Sequence, residues 1–185
     1  FESRKDLYKP QIDIKDYVES FEGFPKPGIS FKDIGPILTS KEALDFAVKE
    51  MAMKCSDSDV IGGLDARGFI FGSLVAKELG KPFVMLRKKG KLPGETNQVS
   101  YGLEYGKDTL EIQKGRIKAG QKVSLVDDLL ATGGTIKAAI DLVESVGGVV
   151  NNLSFAISLD EKELTSLESR KKLYPYKIDT LVSYS

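Results

Sequence analysis

Segment 123–135 constrains the fold more than any other part of the chain. Its apolar start, 123–126, predicts a buried parallel strand, because valine and leucine suit both faces of such a strand. Two carboxylates, Asp127 and Asp128, follow, and a loop of small residues leads into a helix predicted at 136–146. A strand, an acidic pair, a glycine turn and a helix together predict a ligand site at the carboxyl edge of a parallel sheet.

Loop 131–135 has the properties of a phosphate site. Its residues are small, and Gly133 and Gly134 can adopt positive φ. N–H groups and the dipole at a helix start favour an anion. Asp127 and Asp128 would repel such a phosphate, so these carboxylates are expected to face sugar hydroxyls or a hydrated divalent cation instead. The loop lacks the Gly-Lys-Ser/Thr ending of a P-loop, and the sequence contains no Gly-x-Gly-x-x-Gly, so nucleoside triphosphates and dinucleotides are not predicted.

The run Val-Asp-Asp-Leu-Leu-Ala-Thr-Gly-Gly-Thr at 126–135 resembles the phosphoribosyl-pyrophosphate motif of type I phosphoribosyltransferases, and most closely that of the adenine phosphoribosyltransferases. The resemblance extends from about 14 to 164. It implies an α/β fold with a doubly wound, mostly parallel sheet flanked by helices, in a single domain of 1–185. A hood is expected at about 14–38 and a β-hairpin flap at about 92–112. The residues expected to bind the 5-phosphate are Ala131, Thr132, Gly133, Gly134 and Thr135.

Segment 24–34, with two prolines that prevent a regular helix, resembles the part of the family that hoods the purine. The resemblance implies that Phe31 stacks on adenine. It also implies that the backbones of Ser30 and Lys32 bond the exocyclic amine and a ring nitrogen, and that Leu129 contacts the base. A backbone carbonyl accepts from an amino group and repels a 6-oxo group, so such contacts would select adenine.

Two basic loops follow predicted strands. Asp65-Ala66-Arg67-Gly68 begins a helix, and Arg87-Lys88-Lys89-Gly90-Lys91 is a run of charge. Arg67 could merely pair with Asp65, and a charge run is usually a solvated face. Both loops resemble pyrophosphate-binding loops of the family, in which a non-proline cis peptide is common at the position of Ala66 and a partner subunit can supply some of the charges. The residues that this resemblance assigns to pyrophosphate are Arg67, Arg87, Lys88 and Lys91.

Segment 95–112 predicts a hairpin flap rather than part of the sheet core, because two β-capable arms flank glycine-rich turns. The resemblance makes Glu104 the proton-handling residue, beside the catalytic pair Asp127 and Asp128, and places Tyr105 over the site. The alternative is that Glu104 is an ordinary charge at the flap tip. Since the chain has no histidine, proton transfer has to use a carboxylate, tyrosine, lysine or the substrate.

Hydrophobic periodicity and turn residues predict the remaining elements. The helices are expected at 14–21, 40–53, 70–79 and 161–170, with Ser40 capping the second of these. The other strands are expected at 60–64, 82–86, 149–159 and 179–182.

Composition narrows the classes of function. Lysine plus arginine and aspartate plus glutamate each number 27, so nucleic-acid binding is not expected. No run of eighteen apolar residues predicts a membrane helix. The single cysteine, Cys55, cannot form an internal disulfide, so a cytoplasmic location is expected. The absence of histidine also excludes histidine triads and the common zinc sites.

The resemblance implies transfer of the 5-phosphoribosyl group from phosphoribosyl pyrophosphate to adenine, giving AMP and pyrophosphate. It also implies Mg²⁺ held mainly by the donor and water, and a homodimer. Two alternatives stay open: transfer to another base such as hypoxanthine, guanine or orotate, and a non-catalytic regulator that senses phosphoribosyl pyrophosphate and binds DNA. The hood segment argues against the first, and the balanced charge and the presence of both basic loop and flap glutamate argue against the second.

Overall fold

The computed structural model describes residues 11–103 and 106–185; Glu104 and Tyr105 lie outside the described residues. The strands are β1 (Glu19–Glu22), β2 (Ser30–Asp33), β3 (Val60–Leu64), β4 (Phe83–Lys88), β5 (Thr96–Leu103), β6 (Gly106–Gln113), β7 (Lys122–Leu130), β8 (Val149–Leu159) and β9 (Ile178–Tyr184). The helices are α1 (Gly35–Thr39), α2 (Lys41–Lys54), α3 (Arg67–Leu79), α4 (Gly134–Ser145), α5 (Lys162–Thr165) and α6 (Glu168–Lys171), with a 3₁₀ helix at Ile14–Tyr17.

Packing divides the chain into two compact units, Phe1–Ala47 and Val48–Ser185. The prediction of a single domain over 1–185 stays a prediction. In the part of the chain that the structure describes, no helix has both the length and the apolar character needed to cross a membrane.

The second unit is built on a seven-stranded sheet in the order β5-β6-β4-β3-β7-β8-β9. The strands from β4 to β9 in this order pair in parallel, whereas β5 and β6 join the edge as an antiparallel hairpin. This arrangement confirms the prediction of a mostly parallel sheet. The chain passes from β3 to β4 on one side of β3 and later returns to form β7 on its other side. The strand order therefore reverses at β3, and folds of this type bind their ligands at such a point.

Alternate residues of β3 face two different layers of the unit. Val60 and Leu64 belong to the main apolar core, together with the buried face of α4. Gly63 faces the opposite layer, where a Cβ atom would lie 2.6 Å from the ring of Phe83. A Cβ at Gly72 of α3 would lie 2.8 Å from the same ring, so glycine on both elements lets α3 pack closely on the sheet. Helices on both faces make the sheet doubly wound, as predicted.

The predicted hairpin is present as β5 and β6, but its second strand is also part of the main sheet. Strand β6 pairs with β4 through Arg87↔Glu111 and Lys88↔Leu110. Leu110 and Ile112 are buried in the main core. The expectation that this segment lies outside the sheet core is therefore wrong for the base of the hairpin, because its apolar alternation buries one face against α4.

Two of the predicted helices are wrong in extent. The helix predicted at 14–21 ends after one 3₁₀ turn, and the extended Val18 leads into β1. Such a short amphipathic segment has too few turns to be helical by itself. The helix predicted at 161–170 is broken into α5 and α6 by the extended Leu167. The predictions for α2 and β3 are confirmed, and Ser40 accepts a hydrogen bond from the N–H of Ala43 at 3.2 Å.

Candidate active site

A cleft of about 330 Å³ opens at the carboxyl ends of β3 and β7. Many predicted site residues line it: Arg67, Lys88, Asp127, Asp128, Leu129, Ala131, Thr132, Gly133 and Thr135. Asp65, Ala66, Leu130, Ile136 and Phe155 complete the lining and were not predicted as site residues. The fold thus gathers the acidic pair, the small-residue loop and part of the basic loops into one concave site.

The small-residue loop is shaped for an anion. Gly133 has φ +82°, a conformation that favours glycine, and α4 begins at the next residue. The first turn of α4 contains no acidic residue, and the N-cap residue Gly133 has no side chain; the hydroxyl of Thr132 accepts a long hydrogen bond of 3.5 Å from the N–H of Gly134. Negative groups at those positions would compete with a ligand for the helix N–H groups, so the start of α4 suits a phosphate.

The acidic pair lies inside β7, because that strand extends to Leu130 rather than ending at Val126 as predicted. Asp127 Oδ1 accepts a hydrogen bond from the N–H of Asp128 at 2.9 Å. Burial, and then the charge of Asp128, raise the pKa of the Asp127 carboxyl well above its ordinary value. Asp128 is only 4% exposed and forms an ion pair with Arg67 at 3.0 Å. Arg67 therefore has an acidic partner in β7, and the alternative that it pairs with Asp65 stays a prediction.

The other predicted pyrophosphate ligands are also ion-paired. Asp65 holds two of them, Arg87 at 3.0 Å and Lys91 at 3.5 Å. Lys88 pairs with Asp108 of β6 at 2.8 Å, which ties the basic loop to the hairpin. Of these three cations only Lys88 lines the cleft, whereas Arg87 and Lys91 reach its edge through Asp65.

Close backbone packing sets the position of Arg67. A Cβ atom on Gly68 would lie 2.8 Å from the carbonyl oxygen of Val126 and 2.9 Å from Asp127 Oδ1. Glycine therefore allows the start of α3 to contact β7 beside the acidic pair. The peptide bond between Asp65 and Ala66 is cis, in agreement with the resemblance.

Three of the predicted base-binding residues, Ser30, Phe31 and Lys32, lie in the β1–β2 ribbon of the first unit, whereas Leu129 lies in β7. The N–H of Gly23 donates to the carbonyl of Ile29 at 2.7 Å, so these two residues form a hydrogen-bonded pair of the ribbon. Along an antiparallel ribbon, hydrogen-bonded residue pairs alternate with non-hydrogen-bonded pairs. The register therefore places Ser30 and Lys32 in non-hydrogen-bonded pairs. Their backbone N–H and C=O groups consequently point away from β1. Phe31 lies between them in β2, in edge-to-face contact with a neighbouring ring, that of Phe24, at 5.3 Å.

Comparison with known proteins agrees with this geometry. Residues 37–182 match the family model of the phosphoribosyl transferase domain. The chain is 48% identical over 175 residues to the adenine phosphoribosyltransferase of Mesomycoplasma hyopneumoniae strain 7448, covering 95% of this chain and 99% of the relative. The chain belongs to the adenine phosphoribosyltransferases.

Solved structures of the same family superpose closely on the chain. The adenine phosphoribosyltransferase of Thermoanaerobacter pseudethanolicus is 46% identical, with a TM-score of 0.84 over 92% of this chain and 98% of that one. The Saccharomyces cerevisiae enzyme, complexed with an imino-altritol bisphosphate and adenine, is 39% identical, with a TM-score of 0.80 over 91% of this chain and 96% of that one.

Sequence reasoning missed Asp65 as a common partner of two cations, and it missed Gly68 and Arg170. Asp65 opens a turn between a strand and a helix, and a basic run follows the next strand. This combination is a weak signal that could have indicated Asp65 as a partner of the cations. No pattern indicated Arg170, since an arginine in a predicted C-terminal helix is usually solvated. Here the Arg170 guanidinium is buried and donates a hydrogen bond to Asp160 Oδ1 at 2.7 Å.

The ion pair of Asp160 leads to a pH-dependent prediction. Partial burial raises the pKa of Asp160, but hydrogen bonds from Ser158 and Arg170 outweigh it, so the net pKa lies below its ordinary value. A lowered pKa means that the stabilisation is present above the unfolded pKa of about 3.9 and is lost as the pH falls through the folded pKa. We expect Asp160→Asn to lower Tm by about 2–4 °C at pH 7.

The measurement is thermal unfolding of wild type and Asp160→Asn between pH 7 and pH 3. The Tm difference should begin to narrow at about pH 4, near the unfolded pKa, and should vanish below the lowered folded pKa, where the wild-type carboxyl is neutral in both states. A difference that stays constant over this range would contradict the assignment of the effect to the carboxylate charge.

Proposed function

We propose that the protein transfers the 5-phosphoribosyl group from phosphoribosyl pyrophosphate to adenine, giving AMP and pyrophosphate, as a step of purine salvage. The observation that carries this proposal is a cleft in which an acidic pair lies between a phosphate-type loop and paired cations. The adenine phosphoribosyltransferases to which the chain is similar support adenine as the acceptor.

Each group in the cleft has a role in this reaction. Loop 131–135 binds the 5-phosphate and thereby fixes the ribose for attack. Asp127 and Asp128 accept hydrogen bonds from the ribose hydroxyls, directly or through water, and their charge favours a cationic ribosyl ring as the anomeric bond breaks. The pyrophosphate that departs develops negative charge, and donors stabilise it. The proposed donors are Arg67, Arg87, Lys88 and Lys91.

The proposed adenine contacts are the backbones of Ser30 and Lys32, the ring of Phe31, and Leu129. The direction of the Ser30 and Lys32 backbone groups, away from β1, supports recognition through the main chain. An edge that presents a carbonyl acceptor selects an amino-purine over an oxo-purine. The proton-handling role of Glu104 and the covering role of Tyr105 stay predictions, because both residues lie outside the described part of the chain.

We propose that Mg²⁺ is held mainly by the donor and by water. Among the described residues, no group of three or more His, Cys, Asp or Glu could hold a metal ion. Mg²⁺ usually keeps several waters and binds through substrate phosphates and one or two carboxylates, so Asp127 and Asp128 fit as acceptors for its water ligands. When bound, the ion neutralises charge on the pyrophosphate oxygens.

The assembly and location are also proposals. A homodimer is supported by the family resemblance, and sedimentation velocity of the purified chain tests it. A cytoplasmic location is supported by Cys55, which is a free, buried thiol of the kind expected in a reducing compartment.

A panel of bases tests the function. Adenine, hypoxanthine, guanine and orotate are each incubated with phosphoribosyl pyrophosphate and Mg²⁺, and nucleotide formation is followed. We expect turnover of adenine and its loss when EDTA removes the metal. Preference for an oxo-purine would contradict the roles of Ser30 and Lys32 but keep the donor site. Tight donor binding without turnover of any base would favour the sensing regulator instead.

A further inference from the structure

The C-terminal helix α6 supports the phosphate loop from behind. Arg170 is 5% exposed, and its guanidinium donates hydrogen bonds to the carbonyl oxygens of Ala131 at 2.8 Å and Leu130 at 3.5 Å. Ser169 Oγ donates to the next carbonyl, that of Thr132, at 2.5 Å. Three consecutive carbonyl groups, that of the last residue of β7 and those of the first two residues of the loop, therefore have hydrogen-bond donors in one short helix.

This arrangement determines where the N–H groups of the loop point. The described cis peptide bonds lie elsewhere, so the peptides of the loop are trans, and in a trans peptide the C=O and N–H point in opposite directions. The carbonyls of residues 130–132 are turned toward α6, so the N–H groups of residues 131–133 are turned to the other side. Ala131, Thr132 and Gly133 line the cleft on that side. Successive N–H groups that converge in this way form an anion-binding concavity.

We propose that Ser169 and Arg170 are positioning residues for the 5-phosphate: they hold the carbonyls of the loop away from the ligand and keep its N–H groups aimed into the cleft. The inference rests on the proposed function, because it assigns this loop to the 5-phosphate. Arg170 acts through the loop backbone, since it is buried behind the loop.

Two further contacts make Arg170 a fixed support. Its guanidinium also donates to the carbonyl of Leu159 at 3.0 Å and pairs with Asp160, so its orientation is set by β8 and the residue after it. At Gly133 a Cβ atom would lie 3.1 Å from Leu173 Cδ1 and 3.3 Å from Arg170 Cδ. The αL turn of the loop is therefore packed directly against this segment, so contacts within the protein define the conformation of the loop.

Binding of two partial ligands tests the proposal. Wild type, Arg170→Lys and Ser169→Ala are titrated calorimetrically with ribose 5-phosphate and, separately, with pyrophosphate plus Mg²⁺. Lys171→Met is the matched control, because Lys171 lies in the same helix and its side chain pairs with Glu168 at the surface. Steady-state KM and kcat for phosphoribosyl pyrophosphate, and Tm, are measured on the same proteins.

We expect the Kd of ribose 5-phosphate to rise by about 10-fold in Arg170→Lys and about 3-fold in Ser169→Ala. The Kd of pyrophosphate should stay within about 2-fold of wild type, because its proposed ligands lie on other loops. KM for phosphoribosyl pyrophosphate should rise more than kcat falls, and Lys171→Met should match wild type.

Unchanged affinity for ribose 5-phosphate in both variants would overturn the proposal. Equal weakening of ribose 5-phosphate and pyrophosphate would also overturn it, because that result indicates general loosening of the fold. If Arg170→Lys shows no cooperative unfolding, Ser169→Ala decides between these outcomes. A wild-type protein that binds ribose 5-phosphate but forms no AMP would refute the proposed function. The positioning role of Ser169 and Arg170 would then be decided by the ribose 5-phosphate affinities of the variants alone.

Discussion

Replacing both Asp127 and Asp128 with asparagine should lower kcat/KM for AMP formation by about 10³-fold. The two carboxylates line the cleft beside the phosphate loop, where their negative charge can stabilise a ribosyl ring that becomes positive. Asparagine keeps the size and one acceptor oxygen of each side chain but removes the charge. Loss of rate with little change in the affinity for adenine would therefore report an interaction made in the transition state.

The same substitution at Asp127 alone should make the protein more stable. Because burial and Asp128 raise the pKa of Asp127, the charged form is disfavoured in the fold at every pH above the unfolded pKa of about 3.9. Asp127→Asn removes that cost and keeps an acceptor for the N–H of Asp128. We expect Tm at pH 7.5 to rise by about 2–4 °C, and the gain to disappear as the pH falls toward 4.

Asp141→Asn is the matched control for both measurements. This carboxylate lies on α4 close to the phosphate loop in sequence, but it is partly exposed and pairs with Lys137. Its replacement should leave kcat/KM within about 2-fold of wild type and Tm nearly unchanged. Unchanged turnover in the Asp127→Asn/Asp128→Asn protein would remove the ribose assignment of the acidic pair.

Gly68→Ala is expected to affect stability and activity together. Its Cβ atom would lie 2.8 Å from the backbone carbonyl of Val126, and backbone in the middle of a sheet cannot move aside easily. Helix α3 then has to shift, which costs about 1–3 kcal/mol of unfolding free energy. The shift carries Arg67 away from Asp128, and a displacement of about 1 Å at such a site lowers the rate by about 100-fold.

Urea unfolding and steady-state kinetics of Gly68→Ala, compared with Ser73→Ala, test this prediction. Ser73 lies on the exposed face of the same helix, and alanine is a better helix former there, so the control should lose no stability. A Gly68→Ala protein with wild-type stability and turnover would show that α3 is not fixed against β7 at this point.

Local patterns predicted the parts of the fold that are regular. Strand β3 was predicted to the residue, because five apolar or glycine residues precede an acid and a basic helix start. The acidic pair and phosphate loop were found because their order along one strand–loop–helix unit is itself the signal. The strand was nevertheless predicted too short, since both acids continue β7: Asp128 pairs with Arg67, and Asp127 accepts a hydrogen bond from the N–H of Asp128.

Contacts between distant segments could not be predicted in this way. The residues next to Met53 and Arg170 in the sequence do not indicate that Met53 in α2 is 59% exposed whereas Arg170 in α6 is buried. The pairing of Asp65 with Arg87 and Lys91 joins loops that follow neighbouring strands, and it depends on side-chain directions that the order of strands alone does not define. The Gly68 contact depends on how closely a helix approaches a sheet, which a single glycine in a helix does not reveal.

The ion pairs of the basic loops have a consequence for how tightly an anion is held. Asp65, Asp108 and Asp128 pair with all four cations that are proposed to bind pyrophosphate, so a pyrophosphate has to compete with these carboxylates for the cations. This competition makes the affinity for pyrophosphate smaller than the same four cations would provide without the neighbouring carboxylates. These carboxylates are internal counterions, and we expect their competition for the cations to favour the departure of a multiply charged leaving group at the end of each turnover.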